Sequence, residues 1–298
     1  MAYINISGKN IYYEMYGEAH DAALVYLHGG PGASCLDFAA QARELGKACK
    51  VVIFDQYGVL RSDPIMPDEA YGMDRQVAMI EEMREKLGIR RWSVLGHSYG
   101  GMLACLYAHT FPASVDKLIL DCPSLDFIDS AKSTADYLTD YITGLGNDEA
   151  KALLDRIKTT DYTDTTVVFD LLALLGHVQD MQLRNYLHGV TYEEYEKVFS
   201  SADPIPADMW ARANTHLTKL IDDGKLIGHY LPMLKELPQP LLLIHGRHDP
   251  ACSQHQVRYI AENIQGAKEV VFENSGHFPR IEESTRYTRC VLDFLTVS

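Results

Sequence analysis

The sequence predicts an α/β protein: a mostly parallel, doubly wound sheet interrupted by an inserted helical cap. Three observations predict it. Apolar runs of strand length recur with helix-patterned segments between them. Several of those runs (LVYLH, KVVIFD, LILD, PLLLIH) are nearly unbroken, as strands covered on both faces require. The alternation then stops over 124–237, a stretch with no strand-like run and far longer than the roughly 4–6 residues of a common connection.

Taken in order, residues 1–17 alternate apolar and polar like a hairpin, with a strand at 11–16. Further strands are expected at 23–28, 50–55, 92–96, 115–121, 240–245 and 269–273. A helix is expected over 74–87, where Val77, Ile80, Met83 and Leu87 recur at helical spacing and Gly88 stands at the C-terminal cap. Segments 99–111 and 280–297 read the same way. Strand–helix alternation of this kind builds a doubly wound sheet. The interval contains helical stretches at 148–158, 166–176 and 191–199 and the breakers Asp203-Pro204-Ile205-Pro206. It is expected to fold as a cap, or lid, of residues 124–237 over a core of residues 1–123 and 238–298.

Composition excludes several classes. Apolar residues make up 47% and charged residues 23% of the 298-residue chain, values of a globular protein and not a disordered one. Basic residues number 27 against 41 acidic ones, a net charge of −14 that repels phosphate backbones and anionic membranes. No run approaches the ~20 apolar residues that span a bilayer, and residues 1–17 lack the basic start and apolar core of a secretion signal, so none is expected. Neither a nucleic-acid partner nor a membrane is expected, and the location is expected to be cytoplasmic. Cys35, Cys49, Cys105, Cys122, Cys252 and Cys290 form no C-x-x-C pair, and the 12 histidines form no ligand spacing. Free thiols are expected, with no metal and no cofactor.

The chemistry is concentrated in turns that follow the strands. Gly96-His97-Ser98-Tyr99-Gly100-Gly101 follows WSVLG and precedes MLACLYAHTF, the strand–turn–helix context of a nucleophile elbow. Such a turn lifts Ser98 Oγ to a helix N-terminus, where free N–H groups favour negative charge. A serine hydroxyl needs a base. His277, in Asn274-Ser275-Gly276-His277-Phe278-Pro279, is the candidate, with His97, His28 and His245 as competitors. The base needs an acid that orients it. Asp249, in His245-Gly246-Arg247-His248-Asp249-Pro250, follows a strand and precedes His277, and Asp121 is its rival. Acyl transfer also needs oxyanion donors. These are expected from the backbone N–H of Tyr99 and of Gly30 in His28-Gly29-Gly30-Pro31-Gly32, with Gly29 the alternative.

These motifs together resemble the α/β-hydrolase superfamily, and within it the proline iminopeptidase group, whose hallmark is H-G-G-P-G. The resemblance covers about 1–123 and 238–298 and is weak in the cap. It implies a serine hydrolase with a helical cap, with Ser98, Asp249 and His277 as triad. The family's D-x-R-G-x-G-x-S stands here as Asp55-Gln56-Tyr57-Gly58-Val59-Leu60-Arg61-Ser62, without its arginine and second glycine. Aminopeptidases of the group hold the substrate's free amino group with cap glutamates. The stretch WARANTHLTKL contains none. Glu193, Glu194 and Glu196 are candidates, or else the solvated side of an ordinary helix, and Gly29 is a further candidate for substrate contact. The expected function is hydrolysis of a small-molecule or short-peptide substrate through an acyl-enzyme, in an exopeptidase-like or amino-acid amidase reaction. The alternatives are an esterase or lactonase, and a non-catalytic receptor on the same scaffold.

Overall fold

The period-two alternation of a strand sends successive side chains to opposite faces, and the central strands here carry apolar residues at both phases. In β3 (Ala23–Leu27), Leu24 and Tyr26 enter one core cluster and Val25 and Leu27 the other. In β4 (Lys50–Phe54), Val51 and Ile53 divide from Val52 and Phe54 in the same manner. The sheet is therefore covered on both sides. The computed structural model describes residues 2–161, 164–199 and 205–296, with backbone alone at Gln182 and Leu183.

The remaining strands are β1 (Ala2–Ile6), β2 (Lys9–Tyr16), β5 (Trp92–His97), β6 (Val115–Asp121), β7 (Leu241–Gly246) and β8 (Lys268–Phe272). They form one eight-stranded sheet in the order β1-β2-β4-β3-β5-β6-β7-β8. β1 and β2 form the antiparallel hairpin at one edge, β2 pairs antiparallel with β4, and the other pairings are parallel. One face is covered by α1 (Ala39–Leu45) and α12 (Ser284–Thr296), the other by α2 (Met73–Lys86) and α3 (Tyr99–Thr110). α10 (Gln254–Asn263) links β7 to β8. From β3 the chain moves first to β4 on one side and later to β5 on the other, so the loops after β3 and β5 diverge. Ligand crevices of doubly wound sheets lie at this reversal.

The expected helix over 280–297 is two: α11 (Pro279–Glu282) and α12, separated by Glu283 at φ −126° and ψ 47°. The Glu283 carboxylate at this break turns back to accept from Asn274 N and Ser275 Oγ.

Between β6 and β7 run α4 (Phe127–Tyr137), α5 (Thr139–Gly144), α6 (Asp148–Thr159), α7 (Thr166–Gly176), α8 (Tyr192–Val198) and α9 (Ala207–Asp223). Among the described residues of this segment the β-structure is one isolated bridge, Asp126 with His229. Ile128, Ala135, Leu153 and Val167 continue the cluster that covers the adjacent sheet face. α9 docks on the loop after β4, where Arg212 Nη1 donates to Leu60 O and Ser62 O, both at 2.8 Å. Asp203 and Pro204 lie outside the described residues. No helix is long and apolar enough to cross a membrane among the described residues.

Candidate active site

β5 ends at His97, and α3 begins at Tyr99, so Ser98 alone makes the turn. It adopts φ 54° and ψ −120°, a region that non-glycine residues occupy at a cost of about 1–3 kcal/mol. Backbone bonds on both sides hold it there: Ser98 N donates to Asp121 O at 3.0 Å, and Ser98 O accepts from Gly101 N at 2.8 Å. The turn is too tight for a side chain on either flank. A Cβ on Gly96 would stand 2.2 Å from Gly100 O, and one on Gly100 would stand 2.1 Å from Leu27 O.

His277 and Asp249 meet. His277 Nδ1 donates to Asp249 Oδ2 at 2.8 Å with both side chains buried, which leaves Nε2 as the basic ring nitrogen. Asp249 Oδ1 accepts from Ala251 N and Cys252 N at 2.9 and 3.2 Å. Burial pushes the Asp249 carboxyl up, but the facing imidazole and these backbone amides outweigh it and hold it below the usual carboxylate range. The His277 ring and Ser98 line one cavity of about 300 Å³, although no hydrogen bond joins them among the described residues.

Gly29, Gly30 and Tyr99 line the same cavity. Among the described residues the N–H groups of Gly30 and Tyr99 donate to no backbone acceptor outside regular elements. Gly30 has φ 115°, and a Cβ there would stand 2.5 Å from Gly32 N, so only glycine fits this bend.

The loop after β4 shows how the missing arginine and glycine are accommodated. Leu60, where the family motif has glycine, takes a left-handed φ of 43°. Arg61 supplies the guanidinium four positions late: its Nε donates to Asp55 Oδ2 at 2.6 Å and its Nη2 to Asp55 Oδ1 at 3.1 Å. Asp55 also accepts from Ser34 Oγ and Cys35 N, and so ties this loop to the glycine-rich one.

The competing residues have other partners. His97 Nδ1 lies 3.1 Å from Asp121 O, its ring stands 4.7 Å from that of His277, and burial followed by the Arg280 charge lowers its pKa to about 4. His28 Nε2 accepts from Gln56 N, and His245 pairs with Glu269 at 2.9 Å. The rival acid Asp121 binds Arg280 and Tyr287.

Of the two readings of the cap glutamates, their placement on the solvated side of α8 fits that of an ordinary helix face. Glu193 is exposed and pairs with Lys197 four residues on. Glu194 closes a capping box with Thr191 at the start of α8. Both serve the helix, and neither lines the cavity. The wall that the β6–β7 segment does contribute carries hydroxyls (Ser124, Ser130, Thr134) and rings (Phe127, Tyr186, Tyr195, Phe199). Sequence reasoning missed Asp37, the cavity's one carboxylate among the described residues. Arg280 Nη2 holds it at 2.6 Å, and the Tyr26 hydroxyl donates to it. No local pattern announces a pair 243 positions apart.

Known proteins agree with this architecture. The chain is 26% identical over 300 residues to a proline iminopeptidase of Clostridioides difficile (strain 630), covering 99% of this chain and 98% of that one. It is 28% identical to a proline iminopeptidase of Lactobacillus delbrueckii subsp. bulgaricus, with coverages of 98% and 96%. Among solved structures, a proline iminopeptidase of Mycobacterium smegmatis superposes with a TM-score of 0.67 at 20% identity, covering 98% of this chain and 96% of that one. An enol-lactonase of Burkholderia xenovorans LB400 gives 0.63 at 23%, covering 99% and 100%. The family model described as the alpha/beta hydrolase fold matches residues 22–284, and the chain belongs to that family.

Proposed function

We propose that the protein is a serine hydrolase that works through an acyl-enzyme under a helical cap of residues 124–237. The observation that carries the reading is the 2.8 Å contact of His277 with Asp249 on the cavity that Ser98 also lines. In this mechanism His277 Nε2 takes the proton of Ser98 Oγ as the oxygen attacks the substrate carbonyl. The N–H groups of Gly30 and Tyr99 receive the charge that develops on the carbonyl oxygen. Asp249 holds the imidazole in its Nδ1–H tautomer and stabilises the imidazolium. His277 then gives the proton to the leaving group, and water cleaves the Ser98 ester by the same base.

Two readings of the substrate follow. The full-length proline iminopeptidase relatives support an exopeptidase or amino-acid amidase. The cavity wall supports an esterase or lactonase. Among its described residues Asp37 is the one carboxylate, and Arg280 and Tyr26 already occupy it. A buried ammonium needs a partner of its own, whereas an uncharged acyl group suits rings and hydroxyls. The reading includes a cytoplasmic location, which six free cysteines support.

The test is a fluorophosphonate probe with peptide mapping, followed by turnover of matched chromogenic substrates with a free, an acylated and no amino group. Ser98 is expected to carry the label, and Ser98→Ala is expected to lose turnover by about 10⁶-fold while remaining folded. Label on another residue, or near-normal activity in the variant, sinks the mechanism. Preference for the free amine selects the exopeptidase, and preference for the neutral acyl group selects the esterase.

A further inference from the structure

Glu282 ends α11, five residues after His277. Its carboxylate collects three backbone N–H groups, one from the nearby histidine loop and two from a distant stretch of chain. Oε2 accepts from Gly276 N at 2.7 Å, next to His277. Oε1 accepts from Gly189 N at 3.0 Å and from His188 N. Residues 188–189 follow the π-helical turn Gln182–Tyr186, a geometry that recurs at functional sites.

The two stretches are closely joined around the imidazole. His277 N donates to Tyr186 O at 2.7 Å, and the Tyr186 ring stands 5.3 Å from the His277 ring. A Cβ on Gly276 would stand 2.5 Å from Tyr186 O. The His188 ring stacks at 3.5 Å on that of His248, the residue before Asp249. Glu283 provides an internal contrast. Its carboxylate takes Asn274 N and Ser275 Oγ, both inside the histidine loop, and Arg286 Nη1 of α12 at 3.2 Å, and so shapes that loop without joining it to residues 186–189.

We propose that Glu282 is a positioning residue that pins the His277 loop to residues 186–189 and so fixes the imidazole between Asp249 and the cavity. The proposal rests on the reading of His277 as the general base. N–H bonds to a charged acceptor are stronger than neutral ones, and three of them on one carboxylate set the separation of the two stretches. Glu282 does not line the cavity. Its effect passes through His277, whose displacement by an ångström is enough to cost roughly 100-fold in rate.

The experiment compares Glu282→Gln, Glu282→Ala and Glu283→Gln in the full chain. The readouts are kcat and KM on an activated ester, thermal unfolding, and the downfield proton resonance of His277 Nδ1–H. Both Glu282 variants are expected to lose roughly 10- to 100-fold in kcat with KM nearly unchanged and the resonance broadened. Glu283→Gln, which keeps the tie to 188–189, is expected to lose much less and to retain the resonance. Folded Glu282 variants with wild-type kcat and an unmoved resonance overturn the proposal. So does unfolding of the isosteric Glu282→Gln, which assigns the carboxylate to stability alone. Full turnover by His277→Ala instead strikes the reading of the base and is scored separately.

Discussion

The two walls of the cavity treat charge differently. On the side built from strand ends, every carboxylate near the cavity is buried and already engaged: Asp249 by His277, and Asp37 and Asp121 by Arg280. On the side built from the β6–β7 segment, Glu193 and Glu194 serve their own helix, and among the described residues the surface turned inward is hydroxyls, rings and the aliphatic Leu171, Met181 and Leu226. A buried charge is tolerable only where fixed dipoles and counter-charges are assembled around it, and the rigid rim of a sheet supplies those. The segment that covers the cavity contributes shape and neutral polarity.

That division is broken most severely by Asp249→Asn. The amide keeps the shape of the site but favours the wrong imidazole tautomer, and kcat is expected to fall about 10⁴-fold with KM little changed. Steady-state kinetics on one activated ester decides it. A loss below tenfold would mean that the buried pair is structural and that the sheet rim has no special claim on the chemistry.

Gly30→Ala comes next. Its Cβ meets Gly32 N at 2.5 Å and Ala33 N at 2.6 Å, so the loop must move and the N–H at position 30 must turn away. Removing one oxyanion donor costs roughly 10²–10³ in kcat. Labelling of Ser98 by the fluorophosphonate is expected to slow in parallel, because it passes through a similar charged geometry. Normal kinetics in this variant would move the second donor to Gly29.

The rim was the legible half for a physical reason. A nucleophile turn, a glycine-rich turn and a histidine turn are each written in a few consecutive residues, since the backbone geometry they impose admits few side chains. Hence Ser98, Gly30 and His277 could be proposed from local spacing, and Asp249 from its place after a strand. The parallel sheet was readable because Leu24, Val25, Tyr26 and Leu27 leave no polar phase for a solvated face. What escaped were partnerships between positions far apart in the chain. Arg280 with Asp37 and Glu282 with residues 188–189 follow no local rule. Arg61, four positions past the place of the motif's arginine, pairs with the buried Asp55 carboxylate, a contact the motif did not announce. Glu193 and Glu194 stayed open between two readings for the converse reason: the same acidic residues at the start of a helix satisfy its dipole and its cap, and the sequence does not show which demand is met.

The smallest effect concerns how the cover is held to the rim, and it is read as stability against pH. His216 on α9 is fully buried, and its Nδ1 donates to Tyr57 O at 3.0 Å beside the Tyr71 hydroxyl. Its Nε2 is buried with no partner. Protonation would place a charged, unpartnered N–H there, and burial lowers the pKa to about 3 against the ordinary 6.5. The folded state therefore binds this proton less readily than the unfolded chain does. The docking contribution is complete above pH ~6.5 and is lost progressively as the pH falls toward 3. By pH 5 the loss reaches about 2 kcal/mol. His216→Asn keeps a donor for Tyr57 O and removes the titration. Urea unfolding at pH 7 and pH 5 should show a drop in wild type that is smaller in the variant by about that amount. Since His28 and His97 also lie buried with lowered pKa values, some acid sensitivity should remain. Identical pH slopes in the two proteins would show that α9 leaves the rim before His216 is forced to take a proton, and that the cover opens independently of the sheet it rests on.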